Sequence, residues 1–500
     1  MQAFNFPLPD VNFEAILPVA IVAITGIVAL ILEMLRPKHN NDLIVAASLA
    51  GLLLAGAALC YQFSFGTSDT FAGMYVRDPF GTSMQIVLVA SAFLCILFSE
   101  AYLRNKRVPF GEFYPLVLWS TVGAMLMAST TNLLMLFLGL EVLSVSLYVM
   151  AGMSRKEERS EESAMKYFLL GAFASGFLLF GIAFLYGASG SLQLENVLAA
   201  WISHAAEARL LVLFGLGMIL VGLGFKSSLV PFHQWTPDVY QGAPTNVAAF
   251  MATASKVGAL AALLRVLHAA SFEQIREQWM PMMIGVAILT ILVGNLVALT
   301  QKDIKRILAY SSIAHAGYVL VAILAYAGGS SRMGSGTVSY YLFSYAFMTI
   351  GAFAVISLAA KDGKEPTTLN DLHGLYRRSP IAAVALVVCM LSLIGMPPTA
   401  GFIGKLMIFN DAVSSGLTPL AIVLALGSAI SIYYYLGIAI AACTGDGAIE
   451  SKYERPSASV VAVCAVCVVG ILALSLAATP LLNAFSDSSA KAFTKNPRGG

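Results

Sequence analysis

Apolar residues along this chain run in long unbroken blocks, with polar residues gathered into short intervals between them. A helix needs roughly 20 consecutive apolar residues to cross ~30 Å of hydrocarbon. Fourteen blocks of that kind predict spanning helices near 13–35, 43–63, 82–103, 113–130, 132–152, 163–187, 208–230, 245–269, 281–300, 306–328, 337–360, 381–412 (interrupted), 419–442 and 457–479. Residues 191–206 are amphipathic and too polar to span, so they are expected on the surface between spans six and seven. The predicted fold class is an all-α polytopic membrane protein with about 14 transmembrane helices.

Composition agrees with the pattern. Of 500 residues, 58% are hydrophobic and 11% charged, with a mean hydropathy of +0.81. A soluble domain carries roughly a quarter charged residues. The net charge of +2 and the lack of a basic tract interleaved with aromatics give no sign of a nucleic-acid partner. The N-terminus lacks the basic n-region and small-residue cleavage site of a signal peptide. Basic residues set the expected orientation. Arg36 and Lys38, Arg104, Lys106 and Arg107, Arg155, Lys156 and Arg159, Lys302, Lys305 and Arg306, Lys361, Lys364, Arg377 and Arg378, and Lys452 and Arg455 follow odd-numbered spans. Only Arg77, Arg209, Arg276 and Arg332 follow even-numbered ones, and Lys491, Lys495 and Arg498 lie in the tail. Odd loops are therefore expected in the cytoplasm and both termini outside.

Electron-carrying chemistry is not legible here. The sequence has no Gly-rich dinucleotide loop, no P-loop and no iron–sulfur cysteine cluster. Cys464 and Cys467 have CxxC spacing on an apolar segment without a nearby His or carboxylate, and read as small buried residues.

The chemistry lies in charges placed within the apolar blocks. Glu141 in span five, Lys226 in span seven, Lys256 in span eight and Lys405 in span twelve sit at bilayer depth. Each costs at least ~2.5–3.5 kcal/mol to insert, and such groups face a polar path or a partner. Four in one chain imply a route for ions or protons. Glu162 and Lys166 form an i,i+4 pair at the start of span six, which serves either as an ordinary helix stabiliser or as part of the route. His315, beside Ser311 and Ser312 in span ten, is either a satisfied core histidine or a further member. His233 is expected to bond carbonyls freed by a helix break, Arg265 to snorkel, and Tyr433, Tyr434 and Tyr435 to pack, with one facing the path.

Spans seven and twelve share an interruption by proline: Lys226 precedes SSLVPFHQWTPDVYQGAP, and GMPPTAG precedes Lys405. In lipid a broken helix is tolerated only where protein or a polar cavity surrounds it. Five spans separate the two breaks, and Glu141 and His315 are expected to correspond in the same way. Two repeats of five helices must be inverted, and matching breaks in inverted halves point to a transport site. The expected divisions are a three-helix segment at 1–110, a first repeat at 111–270, an inverted second repeat at 280–445, and a final helix and tail at 455–500.

The stretches KSSLVPFHQWTPDVYQGAPTNVAAFMATASKVGAL, QKDIKRILAYSSIAHAGY and GMPPTAGFIGK resemble the antiporter-like membrane subunits of respiratory complex I, the bacterial NADH:quinone oxidoreductase. The resemblance covers essentially the full chain. Subunit M and the Mrp cation antiporter subunits read closer to PFHxWLPDAHxxAP; here Thr236 replaces that leucine and Val239-Tyr240 the Ala-His. Subunit M carries a glutamate where this chain has Lys405, and subunit L a long lateral helix after its last spans. The resemblance implies a proton relay of Glu141, Lys226, Lys256 and Lys405, with Glu162, Lys166 and His315 secondary. It implies that NADH, FMN, iron–sulfur clusters and quinone are handled by other subunits, with no cofactor and no metal on this chain. It also implies neighbours M, K, J and A and a place in the bacterial inner membrane. The alternative is a subunit of an Mrp-type cation/proton antiporter. Sodium prefers carboxylate and carbonyl oxygens, whereas three of the four deep charges are lysines.

Overall fold

The computed structural model describes residues 11–35, 41–105, 111–155, 157–203, 206–270, 273–329, 334–359, 365–445, 457–481 and 484–485. Helices α1 (Phe13–Leu35) and α2 (Asp42–Gln62) form a hairpin, followed by a short antiparallel ribbon of β1 (Ser68–Thr70) and β2 (Tyr75–Arg77) and by α3 (Pro79–Asn105). A first set of helices comprises α4 (Phe113–Ala128), α5 (Leu133–Ala151), α6 (Glu158–Ser189), the amphipathic α7 (Leu194–Ser203), α8 (Ala206–Ser227), α9 (Trp235–Gly242), α10 (Thr245–Phe250) and α11 (Lys256–Ala269). A second set comprises α12 (Glu273–Ala298), α13 (Ile304–Ala327), α14 (Gly336–Leu358), the short α15 (Leu375–Arg378), α16 (Pro380–Ile394), α17 (Ala400–Ser414) and α18 (Thr418–Cys443); α19 (Ala458–Leu476) closes the chain.

Among the described residues, 12 helices are long and apolar enough to cross a membrane, and Phe113–Ala128 and Pro380–Ile394 are shorter apolar helices. The blocks expected from sequence are all helical. α7 lies on the surface as expected, burying Leu194, Val197 and Trp201 against α6 and α8. Of the basic residues used for orientation, Arg36, Lys38, Lys106, Arg107, Lys156, Arg332, Lys361, Lys364, Lys452, Arg455 and the three in the tail lie outside the described residues.

The two sets repeat one packing scheme. α4 packs on α5 as α12 packs on α13; α8 and α9 pack on α6 as α16 and α17 pack on α14; α11 packs on α4 and α8 as α18 packs on α12 and α16. The likeness extends to the caps. Asn132 accepts from the backbone N–H groups of Leu134 and Met135, Asp303 from that of Arg306, each satisfying orphan donors of a first turn. Each cap also makes an isolated bridge to a later segment, Asn132 with Gln193 and Asp303 with Thr368. The sets are inverted. α5 begins beside the β-ribbon, where Thr130 bonds the Met74 carbonyl. α13 begins at the other end of the bundle, where Arg306 meets Asp238.

Both breaks fall where proline interrupts the pattern. α8 stops at Ser227 and α9 starts at Trp235; α16 stops at Ile394 and α17 starts at Ala400. Ser228 adopts φ +62 and Gly395 φ +87, the latter capping α16 in the left-handed conformation that glycine takes without steric cost. Gly401 admits the end of α16: a Cβ there would lie 1.8 Å from the Ser392 carbonyl oxygen. The enclosed centre is the span Thr245–Ala269 with α13 and α14, whereas α1 and α2 are largely exposed.

Arg265 departs from expectation. It does not snorkel. Its guanidinium grips Asp78 through Nη1 at 2.7 Å and Nη2 at 2.9 Å and donates through Nε to the Ala128 carbonyl at 2.7 Å, with both side chains within 2% of full burial. The polar start of α3, invisible as a partner in linear sequence, lies against the end of α11 and offers a bidentate carboxylate that reaching the interface would not. Removing one partner of such a pair strands the other. Arg265→Met is expected to destabilise the bundle by about 3–5 kcal/mol, and Arg265→Met with Asp78→Leu to recover most of it. Thermal unfolding in detergent checks both variants.

Candidate functional site

Lys226 occupies the last turn of α8, at the first break. Its Nζ donates to Ser144 Oγ at 2.8 Å and Tyr167 Oη at 2.9 Å, and sits 4.9 Å from the Tyr167 ring centroid. Tyr167 stacks on Trp235 with centroids 4.4 Å apart, and Trp235 Nε1 donates to the Phe225 carbonyl freed by the break. The Val230 N–H, also freed, goes to Thr290 Oγ1 on α12 at 3.0 Å. Trp235 and the Ser228 N–H thus meet the Phe225 carbonyl, and His233 lies against the backbone of Pro231 within the break, as expected.

Glu141 is half-buried, and its carboxylate accepts from Ser175 of α6. It lies one helical turn before Ser144, so Lys226 reaches the glutamate's helix but is held by Ser144 and Tyr167. Leu138, Val142 and Val145, around Glu141 on α5, are exposed.

Lys256 follows a π-helical turn, Met251–Ser255, whose extra residue per turn re-aims the side chains after it. Its Nζ donates to the Ser312 carbonyl on α13 at 2.6 Å. Ser312 Oγ bonds Tyr345 Oη at 2.6 Å. His315, one turn further along α13, bonds Tyr341 Oη through Nδ1 at 2.7 Å and Tyr435 Oη through Nε2 at 3.0 Å. Tyr435 also bonds Ser311. Lys405 reaches back across the second break to the Leu393 and Ile394 carbonyls, both at 2.9 Å, the position where a cation favours a helix C-terminus. Its Nζ lies 4.9 Å from the Tyr318 ring centroid, and Tyr318 Oη accepts from Asn295, which in turn accepts from Tyr434. Of the three consecutive tyrosines, Tyr435 and Tyr434 face this polar interior and Tyr433 faces outward.

At the end of the bundle where α13 begins, Glu162 and Lys166 pair at 2.7 Å as the spacing predicted. Lys166 also donates to Asp238 at 2.8 Å, and Arg306 takes the other Asp238 oxygen at 2.7 Å. A cavity of about 180 Å³ opens beside them, lined by Arg159, Glu162, Lys166, Asp238 and Gln241.

Lys226, Lys256, His315 and Lys405 therefore lie in one buried polar interior, with Glu141 at its flank and Glu162–Lys166 at one mouth. One expected correspondence changes. Nine residues past each cap stand Glu141 and Ser312; twelve past stand Ser144 and His315. His315 thus matches Ser144, the group that binds Lys226, rather than Glu141. Asp238, Tyr167, Tyr341, Tyr345 and Asn295 escaped the sequence reading. Polar aromatics in apolar helices carry no signal of their own, whereas Asp238, a carboxylate next to a helix break, did.

The architecture is that of a polytopic helix bundle with lysines enclosed at bilayer depth beside two broken helices. The family described as "NADH:quinone oxidoreductase/Mrp antiporter, TM" matches residues 130–431, and the chain belongs to it. It is 42% identical over 431 residues to NADH-quinone oxidoreductase subunit N of Trichlorobacter lovleyi, covering 86% of this chain and 87% of that protein. It is similar to a chain of respiratory complex I from Thermus thermophilus, at 37% identity and a TM-score of 0.79 over 94% of this chain and 99% of that one. A chain of the Mrp complex from Dietzia shares the fold, with a TM-score of 0.84 at 21% identity over 97% of this chain and 98% of that one.

Thr290 ties the broken helix of the first set to the opening helix of the second. Thr290→Val, which keeps the shape and removes the acceptor, is expected to cost about 1–3 kcal/mol by stranding the Val230 N–H. Thr290→Ser is expected to retain most of the stability, as read from the thermal midpoint.

Proposed function

We propose that this chain carries protons across the membrane as a subunit of an NADH:quinone oxidoreductase, through Glu141, Lys226, Lys256 and Lys405, with His315, Glu162 and Lys166 as secondary members. The observation that carries the reading is that all three deep lysines are enclosed and hydrogen-bonded to neutral oxygens: Ser144 and Tyr167, the Ser312 carbonyl, and the Leu393 and Ile394 carbonyls. An ammonium held by neutral groups can give up its proton without stranding a buried carboxylate, whereas one locked in a buried ion pair cannot. Moving a proton against about 200 mV takes roughly 4.6 kcal/mol. That equals a swing of some 3–4 pKa units, within what burial and neighbouring charge produce. An exposed pair, worth ~0–1 kcal/mol, could not supply it.

The chain is a multi-pass membrane subunit of the NADH-quinone oxidoreductase family, and its partners are other subunits of that complex. In this reading NADH, FMN, iron–sulfur clusters and quinone belong to those subunits, with M, K, J and A as neighbours. Arg159, Lys166, Lys305 and Arg306 gather at the Asp238 end, which supports placing that end in the cytoplasm, both termini outside, and the complex in the bacterial inner membrane.

Lys256→Ala is expected to lower proton pumping and quinone reduction in the assembled complex by about tenfold or more, since 1.36 kcal/mol on the barrier already gives tenfold, with NADH oxidation by an artificial acceptor intact. Normal pumping by this variant would end the relay assignment. Lys405→Arg is expected to stay inactive, because arginine does not release its proton in this range. Full pumping with arginine at 405 would mean the position needs only a fixed positive charge.

A further inference from the structure

Lys226 and Lys256 hold separate partners. Lys226 donates to Tyr167 of α6, and Lys256 to the Ser312 carbonyl of α13. α9, the half-helix after the first break, packs on both α6 and α13. In its last turn stands Tyr240, fully buried. Its ring meets Trp235 edge-on with centroids 6.3 Å apart, and Phe353 of α14 at 6.4 Å. Trp235 in turn stacks on Tyr167. The Tyr240 hydroxyl is within electrostatic range of Tyr167 and lies against Ser312, whose Oγ is bonded to Tyr345.

That hydroxyl closes no hydrogen bond of good geometry among the described residues. Two neighbours of the lysines share the condition: Ser227 Oγ, immediately after Lys226, and Ser255 Oγ, immediately before Lys256 and beside Tyr167. A buried hydroxyl left open costs about 1–3 kcal/mol. Phenylalanine would fill the same place against Trp235 and Phe353 without that cost. Packing therefore accounts for the ring of Tyr240 and not for its oxygen. An open polar atom in an otherwise satisfied interior marks a site of chemistry or of bound water. The position is also where the chain departs from the PFHxWLPDAHxxAP pattern, with Tyr240 in place of histidine. Those two side chains have one property in common: each can accept a proton and donate another.

We infer that Tyr240 is the link between Lys226 and Lys256, passing protons from Tyr167 toward Ser312. In this step an N–H bond of the Lys226 ammonium breaks as an O–H bond forms on Tyr167. Tyr167 gives its own hydroxyl proton to Tyr240, and Tyr240 gives its own, across a water bridging at Ser312, to the neutral amine of Lys256. Each hydroxyl takes one proton and gives one, so Lys226 ends as an amine and Lys256 as an ammonium. Moved in concert, the protons leave neither tyrosine charged, which avoids the cost of a buried phenolate.

The inference rests on the proposed relay, and one set of measurements separates the two. In the reconstituted complex, Tyr240→Phe is expected to lower proton pumping and quinone reduction by about tenfold or more, with NADH oxidation by an artificial acceptor unchanged and the thermal midpoint equal or higher. A merely structural Tyr240 predicts normal pumping, because the ring keeps its packing and the missing oxygen strands no partner. A fall in thermal midpoint together with the loss of pumping would make Tyr240 a packing residue and overturn the inference. If Tyr240→Phe does not assemble, Tyr240→His decides, because imidazole also takes and gives a proton: an assembled complex that pumps supports the link, and one that does not overturns it. Normal pumping by Tyr240→Phe alongside failure of Lys256→Ala overturns the link and leaves the relay standing. Normal pumping by Lys256→Ala overturns the relay itself.

Discussion

Everything in this bundle follows from enclosing ammonium groups where there is no water. A charge at bilayer depth needs oxygen ligands, and the apolar helices around it have few to spare. The chain finds them in two ways. Serine and tyrosine hydroxyls on α5 and α6 serve Lys226, and backbone carbonyls serve the other two lysines. For Lys405 those carbonyls exist because α16 stops short, at Ile394. The break in the helix and the lysine beside it are one device: the break exposes backbone oxygens that lipid could not satisfy, and the ammonium satisfies them.

α13 is the strut on which the two halves meet. At its start Arg306 joins Asp238, and Lys305 pairs with Glu365 at 2.6 Å. Midway, the Ser312 carbonyl receives Lys256 and His315 lies between Tyr341 and Tyr435; further on, the Tyr318 ring lies beside Lys405. One rigid element thus touches a surface ion network, the second lysine and the third. Any tilt or rotation of α13 would alter these contacts together, which is the kind of contiguous element through which distant sites couple.

The same fold serves chains of complex I and of the Mrp complex. Fold alone does not choose between proton and sodium chemistry; the site does. An ammonium repels metal cations, and three of the four deep charges of this chain are lysines hydrogen-bonded to neutral oxygens.

The membrane-length apolar blocks, the two broken spans and the deep charges were legible in sequence, because each is written in a local run of residues. Apolar blocks of membrane length have no soluble alternative, proline in such a block must break it, and a lysine in lipid needs a reason. The family was legible too, from KSSLVPFHQWTPDVYQGAP and GMPPTAGFIGK. What the sequence could not decide was which groups meet. Arg265 had the appearance of a snorkelling residue until Asp78, far away in the chain, closed on it within the bundle. Glu141 and Lys226 were legible as deep charges, but only the packing of α5 on α6 gave the glutamate Ser175 and the lysine Ser144 and Tyr167. The ligands of the deep lysines and of the freed Val230 N–H emerge only from packing, since tyrosines, threonines and carbonyls become partners by position in space. Hydrophobic pattern is a local property of the chain, but hydrogen-bond partnership across helices is fixed by packing, and only the tertiary structure decided it.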